Sequence, residues 1–117
     1  MTPYQKGRWA EKWAIVILRL KGYKILAERF KTPLGEIDLI AAKNKRLVLV
    51  EVKNRTSRCE ALSAISVFQQ QRIVQAAKVY LSKYPRWLAG EIRFDVIAFW
   101  PWRWCHLKNA WNETGEI

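Results

Sequence analysis

The stretch "GEIDLIAAKNKRLVLVEVK", residues 35–53, decides how this chain is read. Two apolar runs flank the polar "AAKNKR", which predicts neighbouring antiparallel strands joined by a hairpin, with Asn44 suited to a positive φ in the turn. Inside the apolar runs stand Asp38, Glu51 and Lys53. A carboxylate in a core is costly unless it is paired, hydrogen-bonded or metal-bound, so these positions need a specific cause. Alternation sends Glu36 and Asp38 to one side of their strand and Ile37 and Leu39 to the other, while Glu51 and Lys53 share a face with Leu47 and Leu49. A favourable register would bring Asp38, Glu51 and Lys53 within side-chain reach. The lysine offsets only one acid, and the surplus negative charge suits a hard divalent cation with oxygen ligands, Mg²⁺ or Mn²⁺.

Upstream, "GRWAEKWAIVILRLK" (7–21) places Trp9, Trp13, Ile17 and Leu20 at helical spacing, with Ala10, Ala14 and Leu18 widening the apolar face, and Gly22 ends the helix. Trp9 and Trp13 are assigned to the core. "YKILAER" (23–29) predicts a strand and "KTPLG" (31–35) a turn. Downstream, "NRTSRCEALSAIS" (54–66) reads as a polar loop. Residues 65–84 form a helix with Ile73, Ala77, Tyr80 and Tyr84 on one face, stopped by Pro85. "EIRFDVIAFW" (91–100) alternates as a strand, with Asp95 a structural partner for a basic side chain, most simply Arg93. The order is α-β-β-β-α-β. A helix between the third and fourth strands permits a parallel crossover, so the chain is expected to be α/β: a single domain over 1–117, a mixed central β-sheet flanked by helices, with a Trp-rich C-terminal segment at about 100–117.

Lys and Arg number 21 against 10 Asp and Glu, a net +11 with a pI near 10.1, which suits a polyanionic partner. A hydrophobic content of 50% with 7 Trp excludes a disordered basic tail. Residues 1–6 lack the apolar core of a signal peptide, and no apolar run nears the roughly 20 residues that span a bilayer, so no membrane partner and a cytoplasmic location are expected. Cys59 and Cys105 are too few for a disulfide framework and read as reduced thiols. His106 is the single histidine, which excludes a His-rich zinc site. Any chemistry falls to carboxylates and lysine.

Asp38 followed by Glu51-Val52-Lys53 is similar to the (P)D…(D/E)xK core of the restriction-endonuclease-like nucleases, a superfamily that includes Holliday junction resolvases. Within it the chain resembles the YraN family of small bacterial proteins predicted to be endonucleases, through "GRWAE", "GYKIL", "GEIDLIA", "VEVKNR", "AAKVYL" and "RFDVIAF" in the family's order. The resemblance implies a restriction-endonuclease-like fold in which Asp38 and Glu51 hold Mg²⁺ (or Mn²⁺) and Lys53 orients or activates the attacking water. It also implies that Glu11 stands at an acidic position near the metal, and that a homodimer acts on two strands. Two positions depart from the pattern: Ile37 stands where the superfamily has proline, and Gln69 where relatives often carry lysine.

Each residue also has a plainer reading. Asp38, Glu51 and Lys53 could form a structural ion-pair network, and Glu11 a solvated helix position. Glu36 reads as a salt-bridge or turn residue. Arg55 and Arg58 suit a phosphate clamp, and Gln69 and Arg72 lie in a polar patch suited to nucleic-acid backbone. The tryptophans of "WPWRW" (100–104) could stack on unpaired bases, or cover a sheet edge or dimer interface. Two functions stay open: a metal-dependent endonuclease hydrolysing phosphodiester bonds in DNA rather than RNA, branched or otherwise structured, and a non-catalytic nucleic-acid-binding module on the same fold.

Overall fold

A computed structural model of the chain describes residues 2–111. The elements run α1 (Pro3–Leu20), β1 (Lys24–Thr32), β2 (Gly35–Lys43), β3 (Arg46–Asn54), α2 (Arg58–Ser63), α3 (Val67–Lys83), a 3₁₀ turn (Pro85–Ala89), β4 (Ile92–Trp100) and β5 (Arg103–Trp111). The five strands form one sheet in the order β1-β2-β3-β4-β5, with β3 and β4 parallel and the other pairs antiparallel. The expected mixed sheet and its parallel crossover through the second long helix are therefore present.

β3 carries the logic of the core. Leu47 and Leu49 pack with Ile73, Ala76, Ala77 and Tyr80 of α3, whereas Val48 and Val50 pack with Ala10, Ala14, Ile17 and Leu18 of α1. Alternation puts these two sets on opposite faces, so one helix covers each side and the central strand reads as a continuous apolar run. Asn44 takes a φ of 57° in the β2–β3 turn, and the hairpin is tighter than "AAKNKR" suggests because Ala41 and Ala42 remain in the strand. α1 begins at Pro3, four residues before the predicted start, because Thr2 and Gln5 form a reciprocal capping box.

The face of α1 is a correction. Ala10, Ala14, Ile15, Ile17 and Leu18 are buried, while Trp9, Trp13 and Leu20 are exposed. The small residues let the helix lie close on the sheet, and the bulky indoles beside them are turned to its flank; Trp9 meets Phe99 edge-on at 5.6 Å. The predicted polar loop contains α2, anchored by buried Ala61 and capped by Ser57. Tyr84 is exposed just past α3. The Trp-rich segment supplies a fifth strand, absent from the predicted order, and its part beyond Trp111 lies outside the described residues. Ile37 and Leu39 do not share a face: Ile37 packs on the α3 side and Leu39 on the α1 side, at the level where the paired strand β1 carries the left-handed Arg29. Among the described residues no helix is long and apolar enough to cross a membrane.

Candidate functional site

The ladder between β2 and β3 runs from Lys43↔Arg46 to Leu39↔Val50 and stops. One step further the Asp38 side chain takes over, its Oδ2 accepting from the Val52 N–H at 2.8 Å. In a ladder the N–H and C=O of one residue point to the same side, so the Val52 carbonyl faces the edge that Asp38 occupies. β1 is distorted at the same level. Arg29 lies between the Glu28↔Leu39 and Phe30↔Ile37 pairs and takes a φ of 51°, uncommon for a residue with a side chain. From there its Nε and Nη2 donate to the two carboxylate oxygens of Glu11 at 3.1 and 3.3 Å.

The strands thus open into a cleft of about 620 Å³ between the N-terminal halves of α1 and α3. Lys6 and Glu11 line it from α1, Glu36 and Asp38 from β2, Glu51, Val52, Lys53 and Asn54 from β3, Gln69 and Arg72 from α3, and Arg55 from the following loop. Gly35 makes the approach of α3 possible, since a Cβ there would fall 2.1 Å from the Arg72 carbonyl oxygen. Asp38, Glu51, Lys53, Glu11, Arg55, Gln69 and Arg72 therefore meet in one place. Arg58, the first residue of α2, does not line the cleft and is exposed. Glu36, expected in a salt bridge or against the turn, makes no salt bridge among the described residues and stays exposed on the rim, next to the β1–β2 turn at Gly35.

Glu51 is 5% exposed and its Oε1 lies 3.8 Å from the Lys53 Nζ. Burial and then the adjacent Asp38 carboxyl push the Glu51 carboxyl up to about 10, and Lys53 only partly counters them. The local charges leave one acid uncompensated, the condition that a divalent cation would relieve. Among the described residues no three His, Cys, Asp or Glu side chains gather to hold a metal, so the protein donors on offer are the two carboxylates and the Val52 carbonyl edge. Such a set suits Mg²⁺, which is held by one or two carboxylates and completed by water or phosphate oxygens. Glu11 is already paired with Arg29 and stands as a neighbour of this set.

A second charged cluster lies on the α1 face of β4. Asp95, fully buried, accepts from Arg93 Nε and Nη2, both at 2.8 Å, and from the Asn109 N–H at 2.9 Å, while His106 Nε2 lies 2.6 Å away. Burial opposes its ionisation, but the bonds from His106 and Arg93 outweigh it and hold the carboxyl below its ordinary value. Arg93 is the predicted partner. His106, Lys21 (2.8 Å from its Nδ1) and Tyr23 (2.8 Å from Arg93) complete the network. His106 was legible only through the "WPWR" turn, which makes β5 a hairpin mate of β4 with Ile97 opposite His106. Arg29 had no sequence signal, because a left-handed residue breaks the alternation that would reveal its direction.

The profile described as "Uncharacterised protein family UPF0102" matches residues 10–99. A UPF0102 protein of Chelativorans sp. (strain BNC1) is 48% identical over 109 residues, covering 92% of this chain and 88% of its own length. Those of Parvibaculum lavamentivorans and Mesorhizobium japonicum are 43% and 45% identical, covering 96% and 92% of this chain and 85% and 86% of their own lengths. The matched span contains Glu11, the hairpin with Asp38, Glu51 and Lys53, and the cleft face of α3. By both measures the chain belongs to the UPF0102 family.

Proposed function

We propose that this protein is a metal-dependent endonuclease that hydrolyses phosphodiester bonds in DNA, on a fold of the restriction-endonuclease-like type. One observation carries the reading: Asp38 and Glu51 converge beside Lys53 in a single cleft rimmed by Arg55 and Arg72, with Glu51 pushed up to about 10 by its burial and by the adjacent Asp38 carboxyl. Asp38 and Glu51 would hold Mg²⁺ or Mn²⁺. When bound, the cation supplies charge neutralisation on a non-bridging phosphate oxygen and a lowered pKa for water. Arg55 and Arg72, which both line the cleft, attract and seat the phosphate. Lys53 holds the attacking water or the charge growing on phosphorus, and its proximity to Glu51 keeps the ammonium aimed into the cleft. The Arg29–Glu11 pair fixes α1 against β1 and so sets the width of the opening.

Linear, single-stranded and four-way-junction DNA, incubated with Mg²⁺ or Mn²⁺, should be cut by the wild type and spared by Asp38→Asn and Lys53→Ala; equal or absent product in all three proteins sinks the proposal. The net charge of +11 and the arginines lining the cleft serve a second reading as well, a nucleic-acid-binding module without catalysis. That reading is supported if DNA binds with a steep salt dependence, is never cleaved, and the divalent ion leaves the thermal midpoint unchanged.

A further inference from the structure

The β4–β5 hairpin turns through two residues, Pro101 and Trp102, since Trp100 pairs with Arg103. Trp102 has a φ of 67° and a relative exposure of 101%. A left-handed φ is the conformation that glycine takes freely and a bulky aromatic takes at a cost. Full exposure means that the fold gains nothing from the indole in return. A turn that needs only a small residue holds the largest one, pointed into water.

The hairpin rises from the edge of the cleft. Arg55, a cleft residue, donates its backbone N–H to the Phe99 carbonyl at 3.0 Å, and Asn54 is the register partner of Phe99. Trp102 stands three residues beyond Phe99, a reach of at most about 10 Å for a fully extended chain. That is about three base-pair steps of roughly 3.4 Å along a nucleic acid. Arg103 follows it, exposed, and Trp104 beside it is 48% exposed. A solvent-facing indole followed by the exposed Arg103, on the hairpin whose strand bonds the cleft residue Arg55, is the arrangement that stacks on a base without reading its identity.

We propose that Trp102 is a stacking residue for an unpaired base, so that the preferred substrate carries single-stranded nucleotides next to the phosphate seated in the cleft. A base inside an intact duplex offers no free face to the indole, which is why the effect is confined to unpaired DNA. The inference rests on reading the cleft as a phosphodiester site, but it is tested by binding alone.

Affinity is measured in EDTA for single-stranded DNA, a duplex with a single-stranded gap and an intact duplex, using the wild type, Trp102→Ala, Trp102→Phe and Trp102→Gly. Trp102→Ala and Trp102→Gly should weaken binding to single-stranded and gapped DNA by about 5- to 150-fold, the equivalent of about 1 to 3 kcal/mol, with intact duplex unchanged. Trp102→Phe should restore part of the loss, and thermal midpoints should stay level or rise for Trp102→Gly. Equal losses on all three DNAs, or no loss, overturn the proposal; so does a lower midpoint for Trp102→Gly, which would give the indole a structural role. Selective loss of binding to anionic phospholipid vesicles, or a change from dimer to monomer in sedimentation with DNA affinity intact, also overturns it. If Trp102→Ala binds normally while Asp38→Asn abolishes cleavage, stacking fails and the nuclease stands; the converse pattern keeps the stacking residue and removes the catalysis.

Discussion

The Asp38 carboxylate accepts the Val52 backbone N–H at 2.8 Å, at the point where the β2–β3 ladder ends. A side chain there replaces the main-chain partner that a longer ladder would have supplied, so one residue both closes the sheet and presents an acid to the cleft. The two roles are separable by substitution. Asp38→Asn keeps an acceptor oxygen and should unfold within about 0.5 kcal/mol of the wild type, the range of a mild surface change. Asp38→Ala orphans the Val52 N–H and should cost about 1 to 3 kcal/mol in urea unfolding. Both should lose cleavage.

Lys53 lies 3.8 Å from Glu51 and lines the cleft. Lys53→Ala should lower the cleavage rate by about 10² to 10³, the cost of one preorganised charge-stabilising donor, with a much smaller change in DNA affinity. Single-turnover kinetics at saturating enzyme separate the two quantities.

The Glu51 carboxyl, raised from 4.5 to about 10 by burial and by Asp38, binds a proton in the fold that it has lost in the unfolded chain. Its contribution is therefore fully present below pH 4.5 and is lost as pH rises towards 10. In chelated buffer Glu51→Gln should raise the thermal midpoint, by an amount that widens over this window, while abolishing cleavage. Calorimetry at several pH values checks both the sign and the window.

Asp95 has the opposite sign. Its folded value lies below the ordinary 3.8, so its stabilisation is present above 3.8 and disappears as pH falls through the lower folded value. Asp95→Asn leaves the buried Arg93 without its charge partner and should cost about 3 to 5 kcal/mol near neutral pH. Its acid limb should be flatter than that of the wild type in denaturant titrations from neutral to acid pH.

Gly35→Ala would set a Cβ 2.1 Å from the Arg72 carbonyl oxygen, a contact that only movement of α3 relieves. A loss of about 1 to 3 kcal/mol is expected from overpacking. Gln69 and Arg72 move with the helix, so cleavage should fall by more than the change in folded population explains. Activity measured well below the new midpoint distinguishes the two.

Local rules reached a long way in this chain. The period-2 and 3.6-residue patterns gave the long elements, the parallel crossover and the convergence of Asp38, Glu51 and Lys53, because alternation and hairpin pairing act between near neighbours in sequence. The Asp95–Arg93 pair was equally legible, two positions apart on one strand. What no local rule decided was the choice among competing partners. α1 presents indoles and alanines on adjoining faces, and only its close seat on the sheet selects Ala10 and Ala14 over Trp9 and Trp13. Arg29 reaches Glu11 through a left-handed residue, His106 reaches Asp95 from an edge strand, and Arg58 turns away on a short helix, each outcome resting on packing between distant segments. The sequence carries the acids to one end of the sheet; the tertiary structure settles which of them is paired, which is left uncompensated, and that Trp102 stands fully exposed in the β4–β5 turn.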